Sequence, residues 1–340
     1  MSKILVTGAC GGIGSRLIPT LLENGHEILA VDNLYSGVWE NLNNHVNLTP
    51  ITLDISDEVQ VLDILGKYEF EFCIHLAAIS SLPECQSEPT RALKVNFLGT
   101  QVIAELCSRQ RDFKQFIFAS TSAVYEGIGN DVLTEDLALS PVLVYPQSKY
   151  FSERLLNSMN LTRGFPVVIL RLFNVFGDRQ NILRKSPPLI NYLVRELASN
   201  RAPKLYGWNA PGRDYVSVNT VNQIILKLLG NQKSFGRTLN VCSGETLNVK
   251  EIYAIVAKSL NSNILPELQA PSNLWSSYPE IENGNFPLSS KFVEAETNKA
   301  ALGSPKEILD LIGESLVHDT RNQISATAIS ILAHFKDQNK

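Results

Sequence analysis

The first half of the chain alternates short apolar runs with longer amphipathic stretches. The apolar runs are short and most end at a glycine, an aspartate or an asparagine, which predicts buried strands of a parallel sheet. They are "KILVTG" (3–8), "HEILAVDN" (26–33), "VNLTPITLD" (46–54), "FCIHLAA" (72–78), "QFIFAS" (115–120) and "FPVVILRLFN" (165–174). The stretches between them predict helices, including one long helix over residues 90–110 and another that begins near Tyr145. Repeated β-α units of this kind predict an α/β fold, a Rossmann-type doubly wound parallel sheet.

The pattern changes after Gly177. "DRQNILRKSPPL" (178–189) is polar and contains paired prolines, so it predicts a departure from the sheet. "SVNTVNQIILKLLG" (217–230) and "RTLNVCSG" (237–244) then predict one more helix and strand that return to it. We therefore predict a Rossmann domain over residues 1–177, with 216–244 returning to it. Residues 178–215 and 245–330 form a smaller, mostly C-terminal α/β lobe that binds the substrate.

Composition excludes several classes of protein. Of the 340 residues, 44% are hydrophobic and 19% are charged, so a disordered chain is excluded. The formal net charge of −4 and the absence of a basic patch argue against a nucleic-acid or membrane partner. The apolar run in "MSKILVTGAC" is too short for a signal peptide or a membrane span. Five scattered cysteines without metal-ligand spacing predict a reduced, cytoplasmic protein that holds no metal.

A glycine-rich turn follows the first predicted strand. In "VTGACGGIG" (6–14), Gly8, Gly11 and Gly14 are spaced three apart, with Gly12 and Ile13 between them. Such a turn lets a pyrophosphate approach the backbone at a helix N-terminus, although it is also compatible with an ordinary strand–helix turn. The second strand ends in Asp32, where a carboxylate accepts hydrogen bonds from an adenosine ribose and repels a 2′-phosphate. "DNLYSG" (32–37) contains no arginine, so NAD is predicted rather than NADP.

Further motifs follow in a constant order. They are "LDISD" with Asp54 and Ile55, "HLAA" with Leu76, Ala77 and Ala78, "VNFLGT" with Asn96, "STSAVY" with Thr121, "YPQSK" with Tyr145 and Lys149, "RLFNVFG" with Asn174, "GRDYV" and "NVCSGE". Over residues 3–320 the chain resembles the extended short-chain dehydrogenase/reductase family, in particular its nucleotide-sugar epimerases and dehydratases. The resemblance implies NAD as the cofactor. It also implies a set of cofactor-binding positions: Gly8, Gly11, Gly12, Ile13, Gly14, Asp32, Asn33, Asp54, Ile55, Leu76, Ala77, Ala78, Asn96, Tyr145 and Lys149.

Tyr145 and Lys149 are the predicted catalytic pair. Side chains four apart share a helix face, and Pro146 suits a first turn, which places Tyr145 at a helix N-terminus. A tyrosine with a pKa of about 10 needs a drop of roughly 3 units, or about 4 kcal/mol, to act as a base near neutrality. Lys149, the helix dipole and an oxidised nicotinamide together are the expected source. The resemblance assigns Tyr145 as the base, Lys149 as the ribose ligand that lowers its pKa, and Thr121 as the partner of the reacting hydroxyl. In isolation the pair also fits a solvated helix face.

The residues after Thr121 bear on the reaction. In the resembled family, 4,6-dehydratases carry an Asp-Glu pair there, and decarboxylases of uronic sugars carry a glutamate at the second position. This chain has Ser122 and Ala123. The resemblance therefore implies oxidation followed by return of the hydride to the other face of the keto sugar, an epimerisation at C4, with a UDP-hexose favoured. A nucleotide-sugar ketoreductase and a non-catalytic NAD-binding regulator remain alternatives.

The predicted substrate site is Ser81, Thr121, Asn174 and Arg213. For Arg213 the alternative is a surface ion pair with Asp214. The family's second phosphate-binding arginine is missing, since "YPEIENGNFPLSSK" (278–291) offers only Lys291, and Glu126 stands where relatives have glycine. We expect His75, Cys10 and Cys85 to be structural residues. By resemblance alone, we expect the helix over residues 90–110 and the helix after Tyr145 to form a homodimer interface.

Overall fold

The structure is a computed structural model that describes residues 1–128, 132–184, 186–270, 302–312 and 319–338. Seven parallel strands form its main sheet in the order β11-β7-β5-β4-β1-β2-β3. Their bounds are β1 Lys3–Thr7, β2 Glu27–Asp32, β3 Leu48–Thr52, β4 Phe72–His75, β5 Gln115–Thr121, β7 Val167–Leu172 and β11 Thr238–Val241. The strand order reverses direction between β1 and β4, which is where doubly wound sheets bind nucleotides. The predicted fold class is confirmed.

Helices cover both faces of this sheet. Alternate residues of β1 point to opposite faces, so Ile4 and Val6 join one core while Leu5 joins the other. The helices α1 Gly14–Glu23 and α8 Val218–Leu228 pack together on the first face. The second face carries α2 Glu58–Leu65, α5 Gly99–Ser108 and α6 Val144–Arg163. Burial on both faces explains why the strands read as continuous apolar runs.

The long helix predicted over residues 90–110 is interrupted. The short helix α3 Leu82–Ser87 precedes α4 Pro89–Leu93, and a π-helical turn over Lys94–Leu98 separates α4 from α5. The cause lies in the carbonyl of Asn96, which accepts hydrogen bonds from the hydroxyls of Thr100 (2.6 Å) and Ser152 (3.0 Å). Because these hydroxyls satisfy the carbonyl oxygen, it does not need the regular backbone hydrogen bond of an α-helix. The turn is wider there, and the Asn96 side chain is buried.

The remaining elements form a second lobe and its connections. The strands β8 Asn174–Phe176, β10 Arg213–Ser217 and β12 Thr246–Leu247 form one small sheet. Two smaller pairs are β9 Lys204–Tyr206 with β13 Glu267–Gln269, and β6 Val132–Leu133 with β14 Leu302–Gly303. The lobe's helices are α7 Leu189–Ala198, α9 Val249–Ser259 and α11 Thr320–Gln338, which share a separate apolar core, while α10 Lys306–Ile312 packs near β11.

The chain crosses between the two parts more than once. After β10, helix α8 packs against α1, and β11 pairs with β7 at the edge of the main sheet. The predicted domain bounds, including the return over residues 216–244, stay a prediction. The assignment of the second lobe to substrate binding stays a prediction. No helix in the described ranges has both the length and the apolar character needed to cross a membrane.

Candidate active site

Two connected cavities lie at the carboxyl ends of the main-sheet strands. The smaller, of about 100 Å³, lies beside the end of β2, and the larger, of about 720 Å³, extends between the sheet and the second lobe. Gly8, Gly11, Leu76 and Ala78 line both. The two cavities therefore form one continuous groove that crosses the strand-order switch point, the place where dinucleotides bind in this architecture.

The glycine turn leaves no room for side chains at the floor of this groove. Gly8 has φ +71°, and a Cβ there would lie 2.7 Å from the backbone nitrogen of Ala77. A Cβ at Gly14 would lie 2.5 Å from the carbonyl oxygen of Gly8. The backbone between β1 and the N-terminus of α1 is therefore exposed to the groove, as a pyrophosphate site requires. These residues fit the phosphates of a dinucleotide.

Asp32 lines the smaller cavity at the end of β2. Its carboxylate accepts hydrogen bonds from the backbone nitrogens of Cys10 (2.9 Å) and Leu34 (2.8 Å), which fixes it beside the smaller cavity. The structure adds an arginine that the local sequence lacks, because Arg91 of α4 lies 4.1 Å from the ring centre of Tyr35 and both residues line this cavity. Arg91 also forms ion pairs with Glu84 and Glu88. The sequence did not indicate that Arg91 belongs to this cavity, because it lies far along the chain from Asp32 and Tyr35.

Most predicted cofactor residues line the groove, and two do not. Gly12, Ile13, Asn33, Ile55, Leu76, Ala77, Ala78, Tyr145 and Lys149 are among its walls. Asp54 lies behind, where it accepts a hydrogen bond from the Asn33 amide at 2.9 Å. Asn96 is wholly buried: its amide oxygen accepts from the backbone nitrogen of Ile79 (2.8 Å), and its amide nitrogen donates to Ser148 (3.0 Å). Both therefore position wall residues instead of lining the groove, and Asn96 connects the end of β4 to the helix of Tyr145.

Tyr145, Lys149 and Thr121 meet in the larger cavity. α6 begins at Val144, so Tyr145 lies in its first turn as predicted, and Lys149 follows one turn later. The Lys149 Nζ donates to the carbonyl oxygen of Ala119 at 2.8 Å and lies 4.7 Å from the Phe118 ring centre. Thr121 lines the cavity, and its Oγ1 accepts a hydrogen bond from the backbone nitrogen of Ala123 at 3.1 Å. Thr121 also forms a hydrogen bond with the phenol of Tyr145.

Burial dominates the protonation of the pair. Desolvation raises the pKa of Tyr145 to about 12, and the opposing effects of the Thr121 hydrogen bond and Arg184 are smaller. Desolvation also lowers the pKa of Lys149 to about 7, despite nearby Cys85 and Glu153. The protein alone thus keeps Tyr145 protonated near neutrality. The lowering of the Tyr145 pKa that is expected from Lys149, the helix dipole and an oxidised nicotinamide together is not produced by the protein groups alone.

A buried polar network supports the site from behind. Glu153, one turn after Lys149, pairs with Arg171 at 2.8 Å and accepts from Ser120 at 2.5 Å. Arg171 also donates to the Tyr125 hydroxyl at 2.9 Å. His75 is buried between Thr7 and Thr100, and desolvation lowers its pKa to about 3, so it is a neutral core residue as predicted. Cys10 and Cys85 are buried too, and burial raises the pKa of each thiol to about 12.

The larger cavity is also lined by the predicted substrate residues, Ser81 from the start of α3 and Asn174 and Arg213 from the paired strands β8 and β10. Asp214 lies on the opposite side of β10, buried, where Ser243 and Gly244 donate to its carboxylate at 2.8–2.9 Å. Alternate strand residues face opposite ways, which separates the Arg213 side chain from that of its neighbour. Lys291 lies outside the described residues.

Several cavity residues were not predicted as site residues. Arg179, Gln180 and Arg184 come from the polar segment after Gly177, whose charge was the available signal. Arg179 donates to the carbonyl oxygens of Ser15 (2.9 Å) and Asn41 (2.6 Å), so it joins the second lobe to the nucleotide domain. Within the described ranges, no cluster of three or more His, Cys, Asp or Glu side chains is arranged to hold a metal ion.

Comparison with known proteins agrees with this geometry. The sequence model of the NAD dependent epimerase/dehydratase family matches residues 4–242. The chain belongs to this family. It is 30% identical over 257 residues to a protein of Methanocaldococcus jannaschii named putative UDP-glucose 4-epimerase, covering 74% of this chain and 81% of that protein. Family membership establishes NAD as the cofactor of this chain.

Solved structures of family members have the same fold throughout. The UDP-N-acetylglucosamine 4-epimerase of Methanobrevibacter ruminantium, in complex with UDP-N-acetylmuramic acid, aligns with a TM-score of 0.82 and 26% identity over 98% of this chain and 99% of that one. The Thermus thermophilus UDP-glucose 4-epimerase complex with NAD aligns with a TM-score of 0.80 and 25% identity over 97% of this chain and 98% of that one. The likeness extends beyond residue 242, so it includes the second lobe.

Proposed function

We propose that this protein is an NAD-dependent nucleotide-sugar epimerase that inverts C4 through a transient 4-keto sugar. The observation that carries the proposal is the convergence of Tyr145, Lys149 and Thr121 on one cavity that continues into the glycine turn. Relatives named UDP-glucose 4-epimerase and UDP-N-acetylglucosamine 4-epimerase favour a UDP-hexose as substrate.

The residues beside Thr121 support epimerisation over elimination or decarboxylation. Ser122 and Ala123 line the cavity directly after Thr121. Loss of water needs an acid and a base at neighbouring carbons, and neither of these side chains supplies an ionisable group. The keto sugar in this pocket therefore keeps its other substituents until the hydride returns.

Each protein group has a distinct task. The glycine turn, Asp32 and Lys149 would hold NAD, which would supply the acceptor and donor of the C4 hydride. Tyr145 takes the C4 hydroxyl proton and later returns it to the ketone oxygen. Thr121 is assigned the hydrogen bond to the reacting oxygen, because it lines the cavity and its hydroxyl is hydrogen-bonded to the Tyr145 phenol. Lys149, held by Ala119, contributes N–H donors and positive charge beside the phenol.

The substrate's diphosphate and nucleotide are assigned to the second-lobe wall. Arg213 is suited to a forked, charge-assisted contact with phosphate, and Asn174 lies close to it because β8 and β10 pair. Ser81, at the N-cap of α3, is assigned to the sugar side of the cavity.

The proposal includes a cytoplasmic homodimer. All five cysteines are free and buried, which supports a reducing compartment. Large apolar side chains are exposed directly before α5, at Leu98 (45%), and on α6, at Phe151 (43%) and Leu161 (85%). A second copy that packs on these helices would cover them.

The test uses purified protein and a panel of UDP-, GDP-, CDP- and dTDP-sugars without added cofactor, with products identified by NMR. A C4-inverted sugar supports the proposal, and Tyr145→Phe serves as the catalytic control. Turnover that requires added reduced nicotinamide would instead identify a ketoreductase. The absence of turnover with every donor, together with retained NAD binding, would favour a regulatory protein.

A further inference from the structure

Glu126 lies between the two segments that carry the reacting groups. It directly follows the 3₁₀ turn Ser122–Tyr125, which Thr121 caps, and its side chain lines the larger cavity. It is 8% exposed. A glutamate at this depth needs hydrogen-bond partners, because an unsatisfied buried carboxylate is strongly disfavoured.

Its partners belong to the start of the catalytic helix. Glu126 Oε2 accepts hydrogen bonds from the backbone nitrogens of Val142 (2.8 Å) and Leu143 (2.9 Å). Leu143 is the N-cap residue of α6, and its own side chain makes no capping hydrogen bond. Tyr145 follows two residues later. One carboxylate oxygen thus holds the entry to α6, which lies 16 and 17 residues further along the chain.

The turn on the other side of Glu126 is itself anchored. The backbone nitrogen of Glu126 donates to Ala123 at 3.0 Å, and the Tyr125 hydroxyl donates to Asn240 at 2.8 Å. The Thr121 side therefore has little freedom to move. The position of the Tyr145 phenol relative to Thr121 then depends on how the start of α6 is attached to this turn.

We infer that Glu126 is a positioning residue for the reaction, one that sets the alignment between the Tyr145 phenol and Thr121 by holding the Val142–Leu143 backbone. This rests on the proposed function. The acceptor oxygen is the feature that the experiment isolates, because both contacts are backbone N–H donors that an amide oxygen also accepts. A small misplacement of a reacting group is enough to cost about 10²-fold in rate.

The experiment compares Glu126→Ala and Glu126→Gln in the holoenzyme with UDP-galactose or whichever panel sugar the wild type converts. We expect Glu126→Ala to lower kcat by about 10- to 100-fold with KM within about twofold of wild type, since Arg213 and Asn174 lie on other strands. Glu126→Gln keeps an acceptor oxygen and should recover most of the loss. If Glu126→Ala does not fold, Glu126→Asp replaces it, because its carboxylate is one methylene too short to reach both nitrogens.

Glu251→Ala is the matched control. Glu251 also accepts a backbone N–H at a helix start, from Asn248 at 3.0 Å in α9, but it is not part of either cavity wall. This variant should lose stability and keep its kcat. An equal fall in kcat in Glu126→Ala, Glu126→Gln and Glu251→Ala would indicate a general effect of destabilisation. That result would overturn the inference.

A second readout does not require turnover. Tyrosine labelled with ¹³C at Cζ gives one resonance for Tyr145, assigned by its loss in Tyr145→Phe. We expect its shift to move in Glu126→Ala and to return in Glu126→Gln. A folded Glu126→Ala with wild-type kcat and an unmoved resonance, or equal losses in Ala and Gln, would overturn the inference. If the wild type converts no sugar, the proposed function fails, while the resonance still tests the positioning.

Discussion

Replacing Lys149 by methionine should make the protein more stable at low pH and abolish its activity. The Lys149 side chain is 2% exposed, and desolvation lowers its pKa to about 7. The charged form of Lys149 therefore lowers the stability of the folded protein, and we infer that the residue is kept because the activity needs it. Methionine has similar length and no charge, so Lys149→Met removes that cost while it fills the same space.

The magnitude follows from the pKa. The fall from the ordinary 10.5 to about 7 corresponds to about 5 kcal/mol. Below pH 7 lysine is charged in both the folded and the unfolded chain, so the full penalty is present. As pH rises from 7 to 10.5 the folded state has already lost the proton that the unfolded state still binds, and the wild type gains stability. The variant also loses the hydrogen bond to Ala119, about 1–3 kcal/mol. We expect a net stabilisation of about 2–4 kcal/mol at pH 6, absent or reversed at pH 10.

The assay is urea denaturation of the cofactor-free wild type and Lys149→Met at pH 6, 8 and 10. Lys250→Met, which removes an exposed lysine on α9, controls for loss of a positive charge. A difference between wild type and Lys149→Met that stays constant from pH 6 to pH 10 would refute the reasoning, because it would show that Lys149 keeps an ordinary pKa in the folded protein.

Three further substitutions test the site and its support. Tyr145→Phe should lower kcat by about 10²- to 10⁴-fold while bound NAD, measured after denaturation, stays at the wild-type amount; near-normal rates would remove Tyr145 from the mechanism. Arg213→Ala should raise the KM for nucleotide sugars by about tenfold or more with a smaller effect on kcat, and an unchanged KM would exclude a phosphate contact. Glu153→Ala leaves Arg171 buried without its carboxylate and should lower the free energy of unfolding by about 3–5 kcal/mol in denaturant titrations, whereas a loss below 1 kcal/mol would show that water replaces the pair.

The order of apolar runs was sufficient to predict the parallel sheet and the turn that carries Gly8 and Gly14. Strand and helix periodicity are properties of neighbouring residues, and a strand buried on both faces has few alternatives to a continuous apolar run. The same local logic placed Tyr145 in the first turn of α6 with Lys149 one turn later. It placed the helix around residues 90–110 but gave no sign of the π-helical turn at residues 94–98, where the carbonyl of Asn96 accepts hydroxyl donors, one of them from α6.

The sequence by itself determined the fold class, the glycine turn and the placement of Tyr145 and Lys149 one turn apart at the start of a helix, because each depends on spacing within a few residues. Tertiary structure alone decided how the pair is protonated, since burial is a property of the whole packed cavity. It also brought Arg91 to the smaller cavity, moved Asn96 behind the wall and attached Glu126 to the entry of α6. These contacts join residues far apart in the chain, and their energies depend on desolvation and distance, which no local pattern encodes.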